Sequence, residues 1–386
     1  MRRLTVLCVG LVFLTHLGCA ASGGGSVETY GGDESREITD EQGFKREMGP
    51  AEIEYQSAQQ FLASGDYAEA VDHLRRATDL KPAYLEAWSD MGRALTSMQE
   101  YEAAIPALEK ALELSPGNEG LIGYLGRNNL FLENWDEAER YYRMIIAKNP
   151  QDYNGNINLG FVFQKRNNTD SAIAFYERAV LIKPDDATTL GSLASLYGDK
   201  GDRAKKIEYL SKAISATPDN PRFKTQLGSE YFNNKEYTEA IPIYEDLVKQ
   251  YPDMAAYYQR LGFALSQSDR KAEAPAVLEK AIELKGDDPF IFAILAKIYN
   301  EDGQYQKASG IAQKGLALNA GQEAFLYYQW GEALSKLRQF DEAIAKFQKV
   351  VTYNDPTWTT PASQQIERQE KLKKRDEALK EKERWE

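Results

Sequence analysis

The chain has 386 residues, 42% of them hydrophobic and 11% aromatic, so it carries enough apolar surface to build a sizeable folded core. Its formal net charge of −12 argues against general binding to nucleic acids or to anionic lipid surfaces. Of its two cysteines, Cys8 and Cys19, and two histidines, His16 and His73, at most one of each remains if the N-terminal segment described next is removed, which is too few for a disulfide framework, a zinc cluster or a Cys/His nucleophile.

The first 18 residues have the pattern of an export signal. Arg2 and Arg3 precede a short apolar run at residues 4–14, in the sequence MRRLTVLCVGLVFLTHLG. This run is too short to span a bilayer as a stable helix, whereas a basic start followed by a short apolar stretch is typical of a signal peptide. We therefore expect residues 1–18 to be removed from an exported protein.

The sequence LGCA at residues 17–20 resembles the lipobox of bacterial lipoproteins, although His16 departs from the usual leucine three residues before the cysteine. The resemblance implies that Cys19 is acylated, for example with palmitate, and becomes the new N-terminus. Ala20 resembles the pattern for sorting to the outer membrane, which implies a lipid anchor in the bacterial envelope facing the periplasm. The alternative is ordinary signal cleavage nearby, for example after Ala21, which would leave a soluble exported protein.

Residues 19–50 combine glycine, serine and acidic side chains, as in SGGGS at residues 22–26, and show no apolar periodicity. Such a composition does not bury enough apolar surface to offset the entropy of ordering the chain. The segment is therefore predicted to be a flexible, lipid-attached tether.

A regular interval organises residues 51–355. Six prolines recur 34 residues apart: Pro82, Pro116, Pro150, Pro184, Pro218 and Pro252. Before Pro116, apolar and small residues recur three and four apart, as on amphipathic helices, with a polar break at residues 99–100. Each interval therefore predicts a helix-turn-helix unit, which a proline ends because it lacks a backbone N–H. Such units bury their apolar faces only by stacking on one another.

The second unit shows the full motif: Met91-Gly92, Tyr101, Ala104, Leu108, Ala111 and Pro116. This order of Gly, aromatic, Ala, bulky residue, Ala and Pro resembles the tetratricopeptide repeat, over about four-fifths of the chain. The resemblance implies an all-α fold, a right-handed α-solenoid (superhelix) of about nine repeats with a C-terminal helix. In the seventh repeat the proline position falls on Gly286.

The fifth repeat departs from the motif. Lys206 occupies a usual alanine position, and Arg203 stands where an aromatic residue is common. One interpretation is that the ammonium group of Lys206 reaches solvent along its aliphatic stem. The other is a looser stack at residues 187–218, which would act as a hinge.

Residues 356–386 form a charged C-terminal segment, which from residue 363 on is rich in helix-forming residues and has few apolar side chains, namely Ile366, Leu372, Leu379 and Trp385. After Pro356 and Pro361 we expect a helix whose first part covers the last repeat, because terminal repeats need a polar cap. The remainder is expected to fray into a charged tail. Leu372 and Leu379 alone are too few for a coiled-coil seam.

In tetratricopeptide proteins the first helix of each repeat lines a concave groove that holds partner peptides. Applied to this sequence by position, the resemblance implies a peptide-binding groove that includes Arg93, Arg127, Asn158, Phe161, Lys165, Gln226, Phe232, Arg260, Phe263 and Lys297. Arginine binds carboxylates with two parallel hydrogen bonds, and aromatic residues provide apolar anchors. We therefore expect an extended peptide with acidic or C-terminal carboxylate character. The alternative is that these are ordinary solvated residues on one helix face.

The sequence thus favours a non-enzymatic scaffold for protein–protein interaction, tethered in the envelope and serving pilus, secretion or cell-wall assembly. A protein or peptide partner and the membrane are expected contacts. No metal, cofactor, nucleic acid or small-molecule substrate is predicted, since no Walker A, G-x-S-x-G or H-E-x-x-H motif is present. The less favoured alternatives are a soluble exported binding protein and a carboxylate-based enzyme that acts on envelope polymers.

Overall fold

The computed structural model describes residues 37–39, 45–284, 288–318 and 321–385. The predicted signal peptide at residues 1–18, the predicted lipidation residue Cys19 and the proline-position residue Gly286 lie outside these ranges. The chain divides into two compact units, Met1–Arg178 and Ala179–Glu386.

The first unit contains four helix pairs, the last of which extends past residue 178. Its helices are α1 (Pro50–Ser64), α2 (Tyr67–Leu80), α3 (Leu85–Ser97), α4 (Tyr101–Leu114), α5 (Glu119–Phe131), α6 (Trp135–Lys148), α7 (Tyr153–Lys165) and α8 (Thr169–Ile182). Each pair corresponds to one of the first four repeats predicted from the proline interval.

The second unit contains five further pairs and a longer terminal helix. They are α9 (Ala187–Asp199), α10 (Arg203–Ala216), α11 (Pro221–Asn233), α12 (Tyr237–Gln250), α13 (Ala255–Ser266), α14 (Ala274–Glu283), α15 (Pro289–Glu301), α16 (Tyr305–Leu316), α17 (Glu323–Lys336), α18 (Phe340–Thr352) and α19 (Thr359–Trp385). A short 3-10 helix, Lys271–Glu273, precedes α14. The described residues thus confirm the all-α solenoid class, with nine helix pairs and a C-terminal helix.

The prolines end the repeats as predicted. Helix α2 ends at Leu80 and is followed two residues later by Pro82, and helix α12 ends at Gln250, two residues before Pro252. Because proline cannot donate to the preceding turn, the chain leaves the helix at the same position in each of the first six repeats.

The turn inside each repeat also recurs. Gly65 and Gly201 have φ angles of 84° and 75°, and Gln99 and Glu133, at matching positions, have φ angles of 63° and 57°. All four values lie in the left-handed region, which glycine adopts without steric penalty. The turn geometry is therefore kept even where glycine is replaced.

Within six of the nine described repeats, a glycine of the first helix packs against a bulky residue of the second. A Cβ atom at Gly92 would lie 2.4 Å from Cγ of Leu108, and one at Gly160 would lie 2.7 Å from Cδ1 of Tyr176. Such distances leave no room for a larger side chain, so these positions set how closely the two helices approach.

The segment predicted to be a tether contains a short strand pair. Strand β1 (Glu37–Thr39) is antiparallel to strand β2 (Lys45–Glu47), with Ile38 opposite Arg46. This pair was not predicted, because backbone hydrogen bonds between three-residue strands need no apolar periodicity in the sequence. The prediction of an unstructured segment is therefore wrong for these six residues.

The fifth repeat is joined to the sixth by ion pairs. The stem of Lys206 lies beside Gly198, and its ammonium group reaches a carboxylate oxygen of Glu230 on α11. Arg203 donates to the same carboxylate at 2.9 Å and to Glu236 at 2.5 Å. Lys206 therefore reaches outward along its stem, as one interpretation predicted; the hinge stays a prediction.

Helix α19 covers the last repeat. Ala362 is fully buried and Ile366 packs against the same cluster, while Ser335 on α17 donates to Gln369 at 2.8 Å. The helix begins at Thr359, so Pro361 lies within its first turn rather than before it. Proline is tolerated there because the N–H groups of the first turn have no acceptor within the helix, and the N–H that proline lacks is therefore not needed. It also continues to Trp385, so the expected fraying is not seen up to that residue.

Candidate functional site

In the first unit, the first helices of neighbouring repeats meet at Asp90 of α3. Its carboxylate accepts hydrogen bonds from the hydroxyl of Tyr55 at 2.9 Å and from the amide of Gln59 at 2.6 Å, both on α1. The guanidinium of Arg93 lies 3.3 Å from the same carboxylate. Burial and the charge of Asp90 raise the pKa of Tyr55, so its phenol remains a hydrogen-bond donor.

Two predicted groove arginines lie over one aromatic ring. The guanidinium carbon of Arg93 is 5.9 Å from the ring centroid of Tyr124 on α5, and that of Arg127 is 4.7 Å away. The side chain of Arg93 is 55% exposed, whereas Nε of Arg127 is buried and has no hydrogen-bond partner among the described residues. Burial alone would lower the pKa of Arg93, but Tyr124 and Asp90 raise it overall, so the group stays charged.

The predicted residues of the fourth repeat lie on α7. The ammonium nitrogen of Lys165 is 5.3 Å from the ring centroid of Phe161, and that ring makes an edge contact with Trp135 at 6.5 Å. Asn158 lies half-buried on the same helix. The structure therefore pairs Lys165 with Phe161 as a cation beside an aromatic surface.

In the second unit, α11, α13 and α15 border a cleft of about 490 Å³. Three predicted residues line it, namely Phe232, Arg260 and Phe263. The other predicted residues of this unit do not line it: Gln226 is exposed on α11, and exposed Lys297 on α15 lies 3.8 Å from Glu301. The structure therefore brings together three of the five residues that were predicted for this unit.

Aromatic rings form the apolar wall of this cleft. The ring centroids of Phe232 and Phe263 are 5.2 Å apart, and those of Phe263 and Phe290 are 5.5 Å apart. The ring of Tyr237 meets Phe263 at 5.6 Å in an edge-on contact. The guanidinium of Arg260 lies 4.5 Å from the centroid of Phe232, so one charged group borders a continuous aromatic surface.

Sequence reasoning missed several residues that line the cleft: Asn233, Lys235, Tyr237, Asp288, Phe290 and Ile294. Phe290 follows Phe263 by 27 residues, so the 34-residue register does not select it. The signal that could have located it is Asp288-Pro289, a helix start in which the Asp288 carboxylate accepts from the backbone N–H of Phe290 at 3.0 Å.

Among the described residues, no group of three or more His, Cys, Asp or Glu side chains is placed to hold a metal ion. Within the same ranges, no helix has the length and apolar content needed to cross a bilayer.

Four family models, each described as a tetratricopeptide repeat, match most of the array. The matched residues are 95–155 and 231–298, 55–119 and 192–255, 153–186, and 326–355. Together they cover more than half of the chain, and they coincide with the helix pairs described above. The chain belongs to the tetratricopeptide repeat family.

Similar proteins match short parts of the chain. Superkiller complex protein 3 of Homo sapiens is 30% identical over 93 residues, which are 24% of this chain and 6% of that protein. Small glutamine-rich tetratricopeptide repeat-containing protein 2 of Mycosarcoma maydis is 34% identical over 61 residues, 16% of this chain and 17% of that protein. This chain therefore spans only a small share of the length of these relatives.

Parts of the chain are also similar to solved structures. The crystal structure of MamA protein is 23% identical and has a TM-score of 0.41, over 43% of this chain and 91% of that chain. YrrB, titled a TPR protein with an unusual peptide-binding site, is 23% identical with a TM-score of 0.41, over 44% of this chain and 88% of that chain. Membership of the repeat family supports a scaffold for protein–protein interaction with a protein partner.

Proposed function

We propose that this protein is an interaction scaffold whose cleft between α11, α13 and α15 binds an extended peptide with a large apolar side chain and a nearby carboxylate. The observation that carries the proposal is the contact of Phe232, Phe263 and Phe290 in one wall, with Arg260 over its edge. Aromatic and arginine side chains provide most of the binding energy in protein interfaces.

The charges of the cleft favour an acidic ligand. Lys235 and Arg260 line it and make no ion pair with another described residue. The carboxylate of Asp288 is engaged by the N-terminus of α15, where the helix dipole stabilises a negative charge. The two cations thus remain available to a carboxylate of the partner.

The Arg93–Tyr124–Arg127 cluster of the first unit provides a second contact of the same chemistry. Both guanidinium groups lie over one ring, and Arg93 is more than half exposed. An acidic side chain or a C-terminal carboxylate would pair with them, which keeps the acidic partner expected from the sequence.

The cleft is tested with a labelled extended peptide that has a central Phe flanked by Glu, measured by fluorescence anisotropy. Arg260→Glu and Phe290→Ala should each weaken binding by about tenfold or more, which corresponds to about 1.4 kcal/mol. The matched control is Lys249→Glu, an equally exposed basic residue on α12 that does not line the cleft. Equal weakening by the control variant, or equal binding of a peptide with Lys in place of Glu, would overturn the proposal.

The same proposal includes a lipid anchor at Cys19 in the bacterial envelope, at the outer membrane facing the periplasm, and a role in assembling pili, secretion pores or cell-wall enzymes. The lipid anchor is supported by Arg2, Arg3 and the apolar run at residues 4–14, which are followed by LGCA at residues 17–20. A tethered scaffold would raise the local concentration of its partner at the membrane.

Labelling with radioactive palmitate tests the anchor. The wild type and a Cys8→Ser control should incorporate label and stay in the membrane fraction at high salt, whereas Cys19→Ser should do neither. If Cys19→Ser fractionates like the wild type, the anchor is refuted, and the soluble exported binding protein becomes the better description.

A further inference from the structure

A second cleft, of about 550 Å³, lies beside the C-terminal helix. It shares no lining residue with the cleft bordered by α11, α13 and α15, which we call the aromatic cleft. One wall is formed by the middle of α19, from Gln365 to Leu379. The opposite wall comes from the ends of α15 and α17 and from the turns that follow them, where Tyr305 and Phe340 begin the next helices.

The length of α19 creates this cleft. The helix has 27 residues, whereas the other helices of the second unit have 10 to 14, so α19 extends about 20 Å further at 1.5 Å per residue. One face of its first part carries Ala362, Ile366 and Gln369 and packs on the last repeat. The cleft is lined by another face of the same helix, from Gln365 to Leu379, alongside and beyond those contacts.

The residues of α19 that line the cleft follow a regular pattern. Five of the six are Gln365, Arg368, Leu372, Arg375 and Leu379, separated by three and four residues in turn, and the sixth is Asp376, next to Arg375. This spacing places them in one stripe along the helix, with basic and apolar side chains alternating. Leu379 is 49% exposed, so apolar surface in the stripe is open to a partner.

The cleft holds a surplus of unpaired positive charge in a chain of net charge −12. Lys336, Arg368 and Arg375 line it and make no ion pair with another described residue. Two of its acidic residues already form ion pairs. Asp376 pairs with Arg338 and, at 2.9 Å, with Lys380. Glu301 pairs with Lys271. Lys336, Arg368 and Arg375 therefore make no direct ion pair within the described part of the chain, and Lys336 and Arg368 interact with Glu332 only at longer range.

Glu332 is the other acidic residue in the cleft. Burial raises the pKa of its carboxyl group, although Lys336, Lys297 and Arg368 partly oppose the increase. Glu332 thus lies among cations that partly balance its charge, so it opposes an anionic ligand less than an isolated carboxylate would.

We infer that this cleft is a second docking site, and that it binds an acidic amphipathic helix of a partner protein. The apolar face of that helix would pack on Leu372, Leu379 and Phe340, and its carboxylates would pair with Arg368, Arg375 and Lys336. Two helices pack through apolar residues that recur three and four positions apart on each helix. Charged residues beside that apolar row determine which partner is bound. This site is independent of the peptide cleft in the proposed function.

The probe is a fluorescent synthetic helix of two heptads, with Leu at the first and fourth positions and Glu elsewhere. We expect the full chain to bind it, and Arg368→Glu with Arg375→Glu to weaken binding at least about tenfold. The matched control, Lys371→Glu with Lys374→Glu, makes the same charge change at exposed positions of α19 that do not line the cleft, and it should bind as the wild type does.

Further measurements distinguish this site from the aromatic cleft and from self-association of the chain. Arg260→Glu should leave this binding unchanged, so failure here is distinguishable from failure of the aromatic cleft. Binding of the wild type should fall as salt rises, which tests the charge pairing even if a variant loosens α19. Equal binding of a probe with Lys for Glu would overturn the inference. So would self-association, measured by sedimentation velocity, that the Arg368/Arg375 variant abolishes, because the occupant would then be a second copy of this chain.

Discussion

Gly126 on α5 lies directly against the ring of Tyr142 on α6. A Cβ atom at Gly126 would lie 2.8 Å from Cζ of that ring, and the ring is itself only 3% exposed, so it has little space to shift. The closest approach of the two helices in the third repeat therefore depends on the absence of a side chain at residue 126.

Gly126→Ala should lower the free energy of unfolding by about 1–3 kcal/mol, because the added methyl group overpacks the helix crossing. Gly123 on the same helix provides the control, since nothing lies within 4 Å of its built Cβ atom. Gly123→Ala should raise stability by roughly 0.5–1 kcal/mol, because alanine favours a helix interior over glycine. Urea midpoints measure both changes, and equal shifts in the same direction would contradict this account.

Thr96 and Asn128 form a buried polar link between α3 and α5. The amide of Asn128 donates to the hydroxyl of Thr96 at 2.9 Å, and that hydroxyl donates to the carbonyl of Gly92 at 2.7 Å. Thr96→Val should destabilise the protein by about 1–3 kcal/mol, because it leaves the buried amide unpaired. Adding Asn128→Leu should recover part of this loss, which a double-mutant cycle in urea would measure. An additive result would show that the two side chains are not coupled.

Glu230 should make the junction between the fifth and sixth repeats sensitive to acid. Burial alone would raise the pKa of its carboxyl group, but Lys206 and Arg203 outweigh that effect and lower the pKa below its ordinary value of 4.5. The stability that the carboxylate provides is therefore present above pH 4.5 and is lost as pH falls through the lower folded pKa.

At neutral pH, Glu230→Gln should destabilise the protein by about 1–3 kcal/mol, and its difference from the wild type should shrink below pH 4.5. Glu208→Gln is the control, because its pair with Lys212 is half exposed and contributes little.

Hydrogen exchange over residues 187–218 should show protection similar to that of neighbouring repeats in the wild type. Markedly faster exchange there in the wild type would instead support the hinge.

The Arg93–Tyr124–Arg127 cluster should bind acidic peptides through its two guanidinium groups. Arg93→Glu with Arg127→Glu should weaken binding of a peptide that ends in acidic residues by about tenfold or more, read by fluorescence anisotropy. A matched variant, Arg75→Glu with Lys110→Glu, changes exposed cations on the second helices α2 and α4 and should have little effect. Equal losses in both variants would indicate a general effect of net charge.

The repeat register brought together some of the candidate binding residues, whose role in binding stays a prediction. Phe232, Arg260 and Phe263 lie together because the first helices of adjacent repeats are neighbours. The register failed for Phe290, which enters the cleft from the first turn of α15 after Asp288-Pro289. It also could not predict that Asp90 engages Arg93, since hydrogen-bond partners depend on distances between helices.

The amino-acid sequence by itself determined the repeat architecture. Proline ends a helix because it has no N–H to donate, and glycine allows two helices to approach closely, so both residue types act locally and recur at a constant interval. Only the tertiary structure decided the two clefts, because each is lined by residues from helices and turns that lie at irregular separations in the chain. The second cleft also requires α19 to lie beside the ends of α15 and α17, a placement that the sequence pattern does not specify.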